Sequence, residues 1–313
     1  MSAESKQHLH SDSNWLESVI ADLALWMNES MPSETTSQIT GCGAVREAER
    51  LFASLHEGRP SLMVPSATAG MLIAMRAIGL GAGCEVIIPA HDWGATLVMV
   101  QTLGATAVVV PNRCYVQKDG AGLLSHISAK TRAIVVSHLG EGVDTAAIRA
   151  IFPPEVLVIE DCARVFGYRF KGHPAGTAGD LAVFSFGPGK EPIDIGEGGM
   201  VVARDWGLWE HLVACGGHPI RQMTAGIAEP HPDALSLRPH PLAAVLLAVR
   251  LKQWDVSQRN DSPDLDKRGS GNSIDGTYDI GSLARLSRKR ITSDSAGADA
   301  VGADTDNAGD YAL

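Results

Sequence analysis

Apolar residues at positions 15, 16, 19, 20, 23 and 26 recur at helical spacing. The stretch "WLESVIADLALWMN" therefore predicts an amphipathic helix, with Asp12 or Ser13 placed to cap it. "AVREAERLFASLHEG" predicts a second helix that stops at Gly58. Beyond it the pattern changes to short apolar runs broken by small residues. "SLMV" predicts a strand, Pro65–Gly70 a turn, and the following segment a helix ending near Gly81. "EVIIPAHDWGATLVMVQTLGATAVVVP" repeats the rhythm: strand, a loop over Pro89–Trp93, helix, strand. "AIVVSHLG", "VLVIED", "LAVFSFG" and "GMVVAR" predict further strands, and "DTAAIRAIF" a short helix. "WGLWEHLVACGG" and "PLAAVLLAVRLKQWDV" close the pattern with two helices, the second with Pro241 near its start.

The strands are continuous apolar runs and they alternate with helices. Both faces of the sheet are therefore covered, which predicts a three-layer α/β/α fold with a mostly parallel central sheet. In such sheets ligands sit beyond the carboxyl ends of the strands. Ser66–Gly70, Trp93, Asp161 and Ser185–Lys190 all follow predicted strands, so they are expected at one site.

Composition narrows the classes. A net charge of −10 over 313 residues argues against general nucleic-acid binding. Five scattered cysteines without a CxxC pair argue against a disulfide framework or zinc site and fit a reducing cytoplasm. No secretory signal and no apolar run of membrane-spanning length is visible. His218, His231 and His240 adjoin prolines without metal-ligand spacing, so no metal is expected. Beyond about residue 258 the chain is rich in Asp, Ser, Gly and Ala, a composition that buries too little surface to offset its ordering entropy.

Lys190, in "FSFGPGKEPIDIGEGG", has three possible uses: holding a phosphate, bonding covalently to a cofactor, or decorating a turn. A P-loop needs a first glycine where Phe184 stands and Ser or Thr where Glu191 stands, so that reading fails. Asp161 caps a helix, lies on the surface, or faces a protonated ring nitrogen. "PSATAGM" offers the Ser66 and Thr68 hydroxyls and free N–H groups where a helix begins, a place for a phosphate or a plain capping turn. Trp93 stacks on a flat ring or packs in the core.

Taken together and in order, these segments resemble the DegT/StrS-type sugar aminotransferases. "FSFGPGKEPIDIGEGG" resembles that family's lysine motif, "IEDCARVFG" its IEDAAQAHG-like motif, "VPSATAGM" its SGTAAL turn and "IIPAHDWGAT" its PxxT[FW]xAT loop. "GCGAVREAERLFASLHEG" matches its opening helix, so the likeness covers roughly residues 40–257. The resemblance implies the aspartate aminotransferase fold (fold type I) and pyridoxal 5′-phosphate (PLP) as cofactor. It implies that Lys190 joins PLP as a Schiff base, Asp161 pairs with the ring nitrogen and Trp93 stacks on the ring. Ala67, Thr68 and Ser185 then bind the phosphate, and Arg164 stands where relatives often carry a Gln near the ring oxygen. Lys190 also argues against the sugar-dehydratase branch, which carries His at that position.

The implied reaction moves an amino group from glutamate or glutamine to a nucleotide-linked keto-sugar or a keto-cyclitol. A cytoplasmic homodimer is the implied assembly. The alternative is a non-catalytic or regulatory homologue that keeps the PLP-binding domain and acts as a partner subunit. "LSLRPHPLAAVLLAVRLKQWD" resembles a later family segment in which Arg238 keeps the arginine, while Ser236 replaces an asparagine that reaches the partner's phosphate. The expected organisation is a flexible tail over 1–14, the PLP-binding large domain over 15–257, and a polar tail over 258–313 where relatives have a small domain. On that basis cofactor binding is expected to survive better than efficient turnover.

Overall fold

The computed structural model describes residues 36–116, 121–139 and 142–258, the strand Tyr278–Asp279, and the helical positions Glu17, Ile20, Ala21, Ala24 and Leu25. Those five positions fall in the helix expected from Trp15. The expectations for residues 1–14 and for nearly all of 259–313 lie outside the described residues.

The first element with described bounds is α1 (Ser37–Thr40), followed by α2 (Gly43–Leu55), β1 (Ser61–Val64) and α3 (Ala67–Ala77). Next come β2 (Glu85–Pro89), β3 (His91–Asp92), α4 (Gly94–Thr102) and β4 (Thr106–Val110). The short helices α5 (Arg113–Val116) and α6 (Ala121–Leu124) lead to β5 (Thr131–Ser137), α7 (Thr145–Ile151) and β6 (Leu157–Asp161). A small hairpin, β7 (Arg169–Phe170) and β8 (His173–Pro174), precedes β9 (Leu181–Ser185) and β10 (Gly199–Ala203). Then follow α8 (Trp206–Gly216), α9 (Pro219–Thr224), α10 (Pro241–Gln258) and β11 (Tyr278–Asp279).

Seven strands form the main sheet in the order β1-β10-β9-β6-β5-β2-β4. The pairings from β9 to β4 are all parallel. β10 runs antiparallel to both of its neighbours, β1 and β9. The carboxyl ends of β1, β9, β6, β5 and β2 therefore share one edge. Side chains alternate across each strand, and both faces are dry. Ile88, Val135, Ile159, Val183 and Val201 pack with α3, α4 and α8 on one face. On the other face Phe184 and Met200 meet α2 and α10 around Phe52, and Ile87, Ile134 and Val158 meet α7 around Ile148. Each such large side chain contributes about 1.5–3 kcal/mol by leaving water.

The same alternation sorts the two acids at the end of β6. Glu160 turns to the far face, where it accepts the N–H groups of Ala178 (3.0 Å) and Gly179 (2.6 Å) and pairs with His138 Nε2 (2.9 Å). Asp161 is left on the face of α3 and α4. Buried Asp180 anchors the start of β6 by accepting the Val158 N–H at 2.7 Å, and Arg149 and Arg204 pair with it. β11 pairs antiparallel with β3, setting Tyr278 opposite Asp92 inside the segment expected as a tail. Among the described residues no helix is long and apolar enough to cross a membrane.

Candidate active site

At the shared carboxyl edge of the sheet lies a cavity of about 460 Å³. Every site residue expected from the sequence lines it: Ala67, Thr68, Trp93, Asp161, Arg164, Ser185 and Lys190. Such a volume suits a small-molecule ligand.

The first wall is the start of α3. Ser66, in extended conformation (φ −160°), caps the helix by accepting the Ala69 N–H at 3.2 Å. The expected turn over Pro65–Gly70 is thus much shorter, because the helix begins at Ala67. First-turn N–H groups of a helix favour an anion. Gly199 presses against this turn: a Cβ there would lie 2.7 Å from the Ser66 carbonyl carbon and 2.8 Å from the Ala67 nitrogen. Gly199→Ala is expected to displace the turn and cost about 1–3 kcal/mol, read as a lowered thermal midpoint together with weakened phosphate-ester binding. Unchanged values of both would show that the turn tolerates the methyl group.

Trp93 is the N-cap residue of α4 and is 49% exposed, with its backbone N–H held by Asp92 Oδ1 at 2.7 Å. An indole half exposed at the cavity presents a face that a flat ring could meet, and its exposure does not fit the packed-core reading of Trp93.

Asp161 ends β6, and its Oδ1 accepts the Ala163 N–H at 3.0 Å. Burial raises its pKa, while that N–H bond and the charges of Lys190, His138 and Arg164 pull it back. Lys190 sits on a loop pinned by Asp194, which accepts the N–H groups of Gly189 (2.6 Å) and Gly196 (2.8 Å). Its ammonium pairs with no carboxylate among the described residues. Burial and then repulsion from Arg164 lower its pKa, against an opposing pull from Asp161. A lysine shifted this way holds more neutral, nucleophilic amine near neutral pH.

Two titratable residues that the sequence reading passed over also line the cavity, His138 and Glu197. His138 follows β5 and donates its backbone N–H to the Asp161 carbonyl at 3.0 Å, so it stands beside the acid. Its signal was the same strand-end position that marked Asp161. Glu197 also borders a second cavity, of about 530 Å³, on which Arg238 lies. His138, Glu160 and Cys162 bring ligand atoms within 4.8 Å of one another. Glu160 is committed to two N–H groups and to His138, and burial raises the Cys162 thiol well above its ordinary pKa. The bonds of Glu160 tie β6 to the 178–179 turn and to His138.

The sequence model of the DegT/DnrJ/EryC1/StrS aminotransferase family matches residues 27–258. The chain is 34% identical over 212 residues to the erythromycin biosynthesis sensory transduction protein EryC1 of Saccharopolyspora erythraea, covering 67% of this chain and 56% of that protein. It is 32% identical over 212 residues to the dTDP-3-amino-3,4,6-trideoxy-alpha-D-glucose transaminase of Streptomyces venezuelae, covering 67% and 54%. It spans about half the length of the curated relatives it matches. The PLP-form structure of the sugar aminotransferase Spr1654 from Streptococcus pneumoniae superposes with a TM-score of 0.61 at 20% identity, over 77% of this chain and 65% of that one. That likeness is one of fold, and it agrees with the expected fold type I architecture.

Proposed function

Since this chain belongs to the DegT/DnrJ/EryC1/StrS aminotransferase family, we propose that it holds PLP at the Lys190 cavity. The proposed reaction moves an amino group from an amino acid to a keto-sugar or keto-cyclitol. The observation that carries the reading is the convergence of five strand-end elements on one cavity, with a lysine, an acid, an open indole and a helix start around it.

The residues fit the cofactor. The α3 start supplies N–H groups to a phosphate, with the hydroxyls of Thr68 and Ser185 on the same wall. Trp93 offers a face for stacking. Asp161 presents a carboxylate to a protonated ring nitrogen, and that opposite charge favours its ionised form. PLP, when bound, supplies an electron sink for breaking a bond at the amino acid Cα. Lys190 Nζ supplies the attacking amine and, once free, the base that takes and returns the Cα proton. Arg164, exposed beside Lys190, keeps that amine's proton affinity down.

Glutamate or glutamine is the proposed donor, a nucleotide-linked sugar the proposed acceptor class, and a homodimer the proposed assembly. The S. venezuelae relative's name, a transaminase of a dTDP-amino-sugar, supports the acceptor class.

Titration of the purified chain with PLP tests the reading. The expected result is a shifted visible band that borohydride fixes covalently, with the label mapped to the Lys190 peptide. A label on any other lysine, or none, overturns it. Labelling without turnover of any keto-sugar would favour the partner-subunit alternative.

A further inference from the structure

Asp92 is fully buried in β3, directly before Trp93. One carboxyl oxygen accepts the Trp93 N–H at 2.7 Å. The other, Oδ2, has no hydrogen-bond partner among the described residues, and neither do the buried Ser137 Oγ and Tyr115 Oη. Ser137 stands in register with Asp161 across the β5–β6 ladder. Asp92 is thus a second carboxyl in the layer just behind Asp161.

The groups around it do not neutralise a charge. Thr96 of α4 and Ser137 of β5 bring hydroxyls to it. Tyr115 of α5 and the neighbouring Cys114 bring weak acids, and β6 brings the Asp161 carboxylate. β11 meets it through the backbone, and its chain neighbour His91 is exposed. Among the described residues no cation pairs with Asp92, whereas Lys190, His138 and Arg164 all act on Asp161. Two buried carboxyls that share one set of cations resist carrying two negative charges. Burial first, and then the charge of Asp161, push the Asp92 pKa up to about 7.

We propose that Asp92 is a positioning residue that, in the protein without cofactor and up to neutral pH, works as a neutral carboxylic acid. It fixes Trp93 through Oδ1, turns its own O–H toward Ser137, and leaves Asp161 the only negative charge of the pair. The second half of this proposal, its effect on cofactor binding, rests on the reading given above.

The folded state then keeps a proton that the unfolded chain loses above its ordinary value of 3.8. By linkage, Asp92 costs the apoprotein stability as pH rises from about 4 through about 7. Asp92→Asn keeps both hydrogen-bonding positions and removes the titration. Its thermal midpoint should exceed that of wild type by a margin that widens by at least about 4 °C between pH 5 and pH 8.5.

A bound cationic ring lowers the Asp92 pKa, so binding favours the ionised form. Wild-type affinity for PLP should therefore gain on that of Asp92→Asn between pH 6 and 8.5. The gain is up to about tenfold for each unit by which the ring lowers the pKa. Asp92→Thr, which also removes the charge, should show the same two trends and serves if the Asn variant does not fold. Equal pH dependence of stability in wild type and variants overturns the neutral-acid assignment. Affinities that change in parallel overturn its effect on the site. Failure of every form to bind PLP would overturn the cofactor reading instead, while the stability comparison still decides the charge state of Asp92.

Discussion

Lys190→Ala protein is expected to fold normally, to take no covalent label from PLP and borohydride, and to lose more than about a thousandfold in amino-transfer rate. The fold should survive because the lysine supports nothing around it. Asp194 pins the loop through Gly189 and Gly196, and the Ile195 N–H closes it onto the Phe186 carbonyl at 3.0 Å. The ammonium makes no ion pair among the described residues that its loss would break. Chemistry should fail because Lys190 is the one lysine lining the cavity among the described residues, and Arg164 cannot give up a proton to replace it. Reversible PLP binding should persist, since the α3 start, Trp93 and Asp161 remain. A thermal midpoint within a few degrees of wild type is the control for folding. Turnover within tenfold of wild type would remove Lys190 from the chemistry.

The architecture was legible because burial on both faces leaves a mark in a linear chain. "EVIIP", "AIVVS" and "LAVFS" are apolar without a break, and each proved to be a strand of the main sheet. The site was legible because parallel strands put their carboxyl ends on one edge, so residues far apart in sequence gather there. Strand direction was less legible. "GMVVAR" looks like its neighbours, but β10 runs the other way, and hydropathy carries no direction. Nor does composition separate the acid that lines the cavity from its structural neighbour. In "IED", Glu160 and Asp161 differ by one residue, and the pleat alone sends them to opposite faces. His138 and Asp92 were missed for a related reason. Each sits at the end of an apolar run, where a polar residue normally marks a turn, and only the packing shows both to be buried.

A large effect on stability is expected far from the site, at Arg221. Its Nη2 reaches both oxygens of Glu49, at 3.0 and 2.8 Å, joining α9 to α2 beside β1. Glu49 Oε1 also accepts the Met63 N–H at 2.9 Å, so the pair stitches both helices to that strand. Both side chains are about nine-tenths buried. Arg221→Ala leaves the carboxylate in place without its cation, a change that typically costs about 3–5 kcal/mol. The guanidinium also lies against Gly41, at φ +68°, and over the Trp209 ring at 5.8 Å, so packing is lost as well. The penalty should depend on pH in a definite direction. Burial already raises the Glu49 pKa from 4.5, and Arg221 is the chief group that lowers it. Without Arg221 the folded state holds the proton more tightly than the unfolded chain does. Stability is then lost as pH rises above the unfolded value, and regained as the carboxyl is protonated. Urea unfolding of the two proteins should show a difference that is smallest near pH 5, where the packing loss remains, and largest near pH 8. Glu49→Gln in the Arg221→Ala background keeps the Met63 hydrogen bond and removes the stranded charge. It should recover much of the loss at pH 8 and little at pH 5. A penalty that stays below about 1 kcal/mol, or that does not change with pH, would mean the pair behaves as a solvated surface bridge despite its burial.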